Sequence, residues 1–182
     1  MRRIVNSTYI TLDGVIEEPQ DWPTLGSSDD AGGQIQVDLL LSCDVLLMGR
    51  RTYDVFAASW PTRSGDPYSD HINAMDKYVV SSTVTEPEWE GTRVISDDVV
   101  ESVRRLKEGD GGDIVQYGFG ELSYALLEAG LIDELRLWVH PFLLRPDDVS
   151  RSILRPGDPA SFSLVDATPL SSGIVVLTYT PV

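Results

Sequence analysis

Short apolar segments alternate with helix-type segments through the middle of the chain, and this alternation limits the folds it can adopt. Residues 44–49 (DVLLMG), 77–82 (KYVVSS) and 113–118 (DIVQYG) are short and rich in apolar or β-branched residues, as buried strands are. Residues 121–130 (ELSYALLEAG) have their apolar residues at helical spacing. The end of the chain, 161–181, contains two strand-type runs around a Pro/Ser/Gly turn. The pattern predicts an α/β fold with a mainly parallel sheet, helices on both faces and an antiparallel C-terminal hairpin.

The other segments fit this arrangement. A strand is predicted over 3–11, a long loop with Pro and Asp-Gly turn signals over 12–33, and a helix over 34–43. Cys43 is then a core residue of that helix. The 182 residues have the length of a single domain, 1–182, that buries its own core.

Composition excludes several classes of partner. The net charge of −15, from 14 basic and 29 acidic residues, repels nucleic acid, so a phosphate-bearing ligand needs a local cluster of donors. One cysteine excludes an internal disulfide, and His71 and His140 lack metal-ligand spacing, so no metal site is predicted. The N-terminus lacks the apolar region of a secretory signal and no segment is long enough to span a membrane, which favours the cytoplasm.

Three junctions at which a predicted strand ends have residues suited to a phosphate group. At the first, Gly49 allows a tight turn, and Arg50, Arg51 and Thr52 open a helix. The free N–H groups of a helix start and two guanidinium groups together suit an anion. A capped helix with solvated arginines explains the same residues.

The second junction has Ser81 and Ser82 after a strand, and their hydroxyl groups suit a ribose or a phosphate, although a simple serine turn explains them too. The third has Gly118 and Gly120 between a strand and a helix, but Ser123 replaces the third glycine of the full G-x-G-x-x-G pattern. Because ligands bind at the carboxyl edge of such sheets, the three junctions together favour a dinucleotide laid across that edge. The alternative for Gly120 is a positive φ that glycine adopts without strain.

These motifs resemble the dihydrofolate reductase-like proteins that include the C-terminal reductase domain of bacterial riboflavin-biosynthesis enzymes. The similarity lies in the segments STYITLDGVI, LLMGRRTYDVF, KYVVSST, DIVQYGFGELSYALLEAGLIDELRLWVHPFLL and LSSGIVVLTYTPV, in that order over nearly the whole chain. It implies the dihydrofolate reductase fold, NADPH as hydride donor, and a reaction resembling that of 5-amino-6-(5-phosphoribosylamino)uracil reductase.

The resemblance also implies roles for the junctions. Gly49, Arg50 and Thr52 would meet the phosphates of the cofactor, with Arg51 beside them. Ser81 and Ser82 would lie near the adenosine ribose and its 2′-phosphate. The turn around the pyrophosphate would comprise Tyr117, Gly118, Phe119, Gly120, Glu121 and Leu122.

The chain departs from the family pattern at two places. Relatives often have glycines after the proline that follows the late strand, where this chain has Arg145 and Pro146. Dihydrofolate reductases bind the pterin with a carboxylate on the helix before the first junction, and this chain offers only Asp38 there, so folate is not the predicted substrate. One cysteine and two histidines cannot build the zinc site of the deaminase domain that often precedes this reductase.

The reacting end of the cofactor is expected near the exit of the first strand. Asp13 is the candidate to polarise or protonate the substrate, although an Asp-Gly turn alone explains it as well. The residues predicted to line the substrate pocket are Tyr9, Gly14 and Trp22, with Trp60 and Tyr117 as further aromatic walls.

The sequence therefore predicts an NADPH-dependent reductase of a small heterocyclic, carbonyl or imine substrate, with NADPH preferred over NADH. A module that binds NADPH without turnover, or a dimeric scaffold without cofactor, remains an alternative. A homodimer is predicted, partly from the family resemblance, with contacts at the C-terminal hairpin and residues 135–144 (LRLWVHPFLL) on apolar content.

Overall fold

A computed structural model describes residues 1–25, 30–154 and 157–182. In these ranges, eight strands form one sheet in the order β4-β3-β2-β5-β1-β6-β8-β7. The strands are β1 (Ile4–Thr11), β2 (Cys43–Gly49), β3 (Asp76–Val80), β4 (Thr92–Ile95), β5 (Asp113–Tyr117), β6 (Glu134–His140), β7 (Phe162–Pro169) and β8 (Val175–Pro181). The helices are α1 (Asp30–Leu41), α2 (Arg50–Ser59), α3 (Pro67–Ala74), α4 (Val99–Glu108) and α5 (Glu121–Glu128).

The sheet confirms the predicted α/β fold. Strands β4, β3, β2, β5, β1 and β6 are parallel to one another, whereas β8 runs antiparallel to β6 and β7 antiparallel to β8. On one face, Leu40 of α1 and Ile72 of α3 pack against Leu46 of β2 in one apolar cluster. On the other, Val103 of α4 and Leu126 of α5 pack in a second cluster. The result is three layers with the sheet in the middle.

Two local predictions differ from the structure, and one helix was not predicted. Helix α1 begins at Asp30 rather than at residue 34, so part of the predicted loop is helical, while residues 26–29 of that loop lie outside the described ranges. Cys43 begins β2 instead of ending the helix, and burial raises the pKa of its thiol to about 11. Helix α3 was not predicted, because a Gly-Asp-Pro sequence before it is typical of a turn.

Within the described ranges, no helix combines the length and the apolar character needed to cross a lipid bilayer.

Candidate functional site

The three predicted junctions lie next to one another at the carboxyl edge of the parallel strands. Strand β2 pairs with β3 on one side and with β5 on the other, and β5 pairs with β1. The segments after β3, β2 and β5 are therefore neighbours. Strand β1 extends beyond the end of β5, because Tyr117 pairs with Ser7, so the turn at Asp13 lies further along β1, next to the end of β6. This edge is where open α/β sheets bind ligands.

Gly49 and Gly120 at this edge are glycines that the fold does not require. They are the N-cap residues of α2 and α5, with φ of −73° and −131°, which any residue adopts. No atom lies within 4 Å of the Cβ that a larger residue would have at either position. Two open N-caps on adjacent strands leave room for an anionic ligand to reach the helix N–H groups.

Gly118, by contrast, is explained by the fold. Its φ is +79°, and an added Cβ would lie 3.0 Å from Oγ1 of Thr52. The Thr52 hydroxyl donates a 3.3 Å hydrogen bond to the carbonyl of Tyr117. Thr52 thus joins the start of α2 to the turn after β5 by a hydrogen bond.

At the second junction, the hydroxyl of Ser81 accepts hydrogen bonds from the N–H groups of Thr83 and Val84, each at 3.1 Å, and so closes a serine turn. Ser82 is exposed. The guanidinium of Arg50 donates to Oγ1 of Thr83 at 2.6 Å and to the carboxylate of Asp54 at 2.8 Å and 2.9 Å. Arg50 therefore lies at this turn.

Arg51 points away from the serine turn, since its guanidinium pairs with Glu17 in the segment after β1.

The other predicted residues of the glycine turn, Phe119, Glu121 and Leu122, differ in their surroundings. Phe119 is buried and packs edge-on against Tyr124, with ring centroids 5.0 Å apart. Glu121 and Leu122 form the first turn of α5, and Leu122 packs into the apolar cluster beneath it.

A buried polar network beneath this turn was missed by the sequence analysis. Asn6 and Ser123 are 0% exposed and Gln116 is 2% exposed. Asn6 Nδ2 donates to Gln116 Oε1 at 3.0 Å, and Gln116 Nε2 donates to Ser123 Oγ at 2.9 Å. The amide residues Asn6 and Gln116, each within a predicted strand, are the sequence signal that could have identified it.

Asp13 links the turn after β1 to the segment after β6 by hydrogen bonds. Its carboxylate accepts hydrogen bonds from the Thr11 hydroxyl at 2.5 Å and from the N–H groups of Leu144 at 3.3 Å and Arg145 at 2.7 Å. These bonds, with the Thr11 hydroxyl first, lower the pKa of Asp13. A carboxyl group held this way is ionised near neutral pH, which argues against a proton-donor role. The same bonds help hold Arg145 at φ +50°, a left-handed conformation more typical of glycine.

A cleft of about 640 Å³ lies between α1 and the connection from α2 to α3. Its lining includes Gln36, Trp60, Arg63 and Tyr68. The guanidinium of Arg63 lies 4.7 Å from the Trp60 ring centroid, and it interacts electrostatically with the carboxylate of Asp66, which lines the same cleft. The cleft thus combines aromatic walls with one cation and one carboxylate.

The predicted pocket residues divide between this cleft and its surroundings. Trp60 lines it, and the Tyr117 hydroxyl lies 2.9 Å from that of Tyr68. Tyr9 accepts a 2.5 Å hydrogen bond from Gln36. Trp22 packs edge-on against His140, at 5.2 Å, rather than lining the cleft.

Three other predicted positions have local roles. Gly14 forms the turn after β1 at φ +82°. Asp38 is exposed and accepts a hydrogen bond from Gln34 on the same helix, at 2.6 Å. Among the described residues, no group of three or more His, Cys, Asp or Glu side chains could hold a metal ion.

The sheet order, the flanking helices and the C-terminal hairpin define a dihydrofolate reductase-like protein. The chain belongs to the RibD C-terminal domain family, whose model matches residues 2–176. That family comprises the reductase domain of riboflavin biosynthesis, which supports a reductase-like role.

Individual relatives agree with this assignment. The chain is 30% identical over 195 aligned residues to the uncharacterized protein YyaP of Bacillus subtilis (strain 168), covering 98% of this chain and 94% of YyaP. A putative riboflavin biosynthesis protein from Shewanella sp. PV-4 has a similar structure, with a TM-score of 0.72, 22% identity, and coverage of 100% of this chain and 99% of that one.

A third similar structure is the diaminohydroxyphosphoribosylaminopyrimidine deaminase/5-amino-6-(5-phosphoribosylamino)uracil reductase of Thermotoga maritima. Its TM-score is 0.66 at 17% identity, with all of this chain but 57% of that protein covered.

Proposed function

We propose that this chain is an NADPH-dependent reductase of a small heterocyclic, carbonyl or imine substrate. The observation that carries the proposal is the pair of open glycines, Gly49 and Gly120, at the N-termini of two helices on adjacent strands. Neither packing nor backbone conformation accounts for them, whereas the approach of a pyrophosphate does. When bound, the cofactor supplies the hydride, and the chain holds its phosphates and positions the substrate.

The preference for NADPH rests on Arg50. Its guanidinium lies at the serine turn after β3 and would bind a 2′-phosphate, with Ser82 as an exposed hydroxyl beside it. A charge-assisted hydrogen bond contributes about 1.5–3 kcal/mol, so NADPH should bind about tenfold more tightly than NADH, or better.

Calorimetric titration of both nucleotides tests this preference. Arg50→Gln should reduce it, and Arg51→Gln is the matched control because Arg51 pairs with Glu17 instead. Equal affinities of the wild-type protein for NADPH and NADH would exclude a 2′-phosphate site.

The substrate proposal rests on the cleft beside α1. Trp60 and Tyr68 offer aromatic surfaces for a flat ring, and the side-chain amide of Gln36 and the Tyr68 hydroxyl can bond to its polar substituents. Arg63, which forms no direct ion pair among the described residues although Asp66 lies near it, suits an anionic tail on the same substrate. A phosphoribosylated aminopyrimidine combines both features.

Two measurements separate this proposal from its alternatives. Titration with NADPH distinguishes a scaffold, which does not bind it, from a reductase or a binding module. NADPH oxidation, followed by absorbance against pterins, ribosylaminopyrimidines and simple carbonyls, then distinguishes the last two. Binding without turnover of any of these substrates would favour the binding module.

A further inference from the structure

The Asn6–Gln116–Ser123 network under the glycine turn is polar and almost completely buried. Asn6 and Gln116 are directly paired across β1 and β5, so both side chains lie on the same face of the sheet. Every polar atom in the centre of the network has a partner, and the Thr8 hydroxyl completes it by donating to Asn6 Oδ1 at 2.9 Å. A fully bonded polar network rigidifies its surroundings, whereas apolar residues would fill the same space more simply.

The network ends on the backbone of the turn. The carbonyl of Gly118 accepts hydrogen bonds from Asn6 Nδ2 at 2.8 Å and from Ser123 Oγ at 3.2 Å. The Ser123 oxygen also accepts the N–H of Gly120, at 3.3 Å. Two buried side chains thus fix the direction in which the Gly118 carbonyl points.

The orientation of the Gly118 carbonyl also determines the direction of the Phe119 N–H group. The peptide bonds of the described residues are all trans, and in a planar trans peptide the N–H points opposite to the C=O. Because the Gly118 carbonyl points into the network, the N–H of Phe119 points away from it. This N–H has no hydrogen-bond partner within the described part of the chain.

We infer that Asn6 and Ser123 are positioning residues for a bound pyrophosphate. They turn the Gly118 carbonyl, which would repel an anion, away from the ligand and leave the Phe119 N–H directed at it, next to the open N-cap at Gly120. The inference rests on the proposed function, since it requires that the turn meets a dinucleotide.

The test compares NADPH with adenosine 2′-monophosphate, which lacks the pyrophosphate. Ser123→Ala removes the hydroxyl and keeps a good helix former, and Asn6→Leu removes the amide at similar size. Each should weaken NADPH binding about tenfold or more, as the loss of a hydrogen bond to a charged group does. Each should leave the affinity for adenosine 2′-monophosphate within about twofold of the wild-type value.

Ile72→Val is the control for a general loss of stability, because Ile72 is buried in the cluster on the opposite face of the sheet. It should lower the melting temperature without changing either affinity. Ser123→Thr keeps the hydroxyl and should retain NADPH binding.

The outcomes are distinct. A parallel loss of both affinities, or unchanged NADPH affinity in both Ser123→Ala and Asn6→Leu, would show that the network is only structural. Failure of the wild-type protein to bind NADPH would overturn the proposed function, and this inference with it.

Discussion

Gly118 and Gly120 lie two residues apart but are glycines for different reasons. Gly120 has an ordinary φ and open space around it, so Gly120→Val should fold with an unchanged melting temperature. The new side chain would occupy the space that the pyrophosphate needs, and NADPH affinity should fall about tenfold or more. Thermal melting and calorimetric titration of the same sample give both quantities.

Gly118→Ala is the matched comparison. A residue with a Cβ at φ +79° costs about 1–2 kcal/mol, and the contact with Thr52 adds to this. For a chain of this size the melting temperature should then fall by about 2–8 °C. A Gly120→Val protein that melts early but binds NADPH normally would mean that the turn has only a structural role.

Asp13 gives the protein a pH dependence. Its pKa in the folded state lies below the ordinary value of 3.8, so the stability it contributes is present above that value. That contribution is lost as the pH falls through the lowered pKa. The difference in melting temperature between wild type and Asp13→Asn should therefore shrink between pH 5 and pH 2, and a constant difference would show that the Asp13 charge is not involved.

At the scale of elements, α3 supplies part of the cleft lining, and its first turn is capped by one residue, Asp66. The Asp66 carboxylate accepts hydrogen bonds from the N–H groups of Tyr68 at 3.1 Å and Ser69 at 3.0 Å, and Pro67 occupies the first helical position. Asp66→Ala should lower the melting temperature and weaken substrate binding, because α3 places Tyr68 and Ser69 in the cleft.

Asp66→Asn is the control, since asparagine is an equally good N-cap. It should keep the melting temperature of the wild type, while it removes one negative charge from the lining of the cleft. NADPH affinity should be unchanged in both variants, and a loss of that affinity in Asp66→Ala would mean that α3 supports the cofactor edge as well.

The same helix shows where the sequence was informative and where it was not. Strands β2 and β5 were predicted because a short apolar run between polar segments favours few other structures. Helix α3 has only eight residues and its start resembles a turn, so its packing against α1, not its local sequence, identifies it. The three junctions could be placed at one edge from parallel topology alone. The pairing of Asn6 with Gln116 could not, because it depends on the register of two strands 110 residues apart.

At the scale of the whole molecule, one face of the C-terminal sheet is apolar and incompletely covered. Directly paired residues of β6, β8 and β7 point to the same side of the sheet. This apolar face comprises Leu135, Leu137, Val139, Val175, Leu177, Tyr179, Pro181, Phe162, Leu164, Ala167 and Pro169. Every residue of β7 is at least partly exposed, and Leu164 is 55% exposed. The alternation of apolar and polar residues in β7 and β8 is that of a sheet covered on one side.

The surface area and the charge of the chain favour a second copy of the same chain as the partner that covers this apolar face. The accessible surface is 9841 Å², against about 8,700 Å² for a compact monomer of this mass. The excess of about 1,100 Å² is larger than the area of about 800 Å² that each partner buries in a standard interface. Two chains with a net charge of −15 repel each other, and the apolar face contains no charged residue, so it is a surface on which they can meet.

Residues of this chain already cover the part of the face on β6, so the exposed part lies mainly on β7. We therefore expect a twofold dimer that packs this exposed part against its copy. Leu164→Glu introduces a charge on the exposed edge strand of this face and should convert the dimer to a monomer. Ser163→Glu adds the same charge one residue away on the opposite face of β7 and should leave the dimer intact. Light scattering at micromolar concentration measures both masses. A wild-type monomer would exclude the dimer, and a dimeric Leu164→Glu protein would place the interface elsewhere.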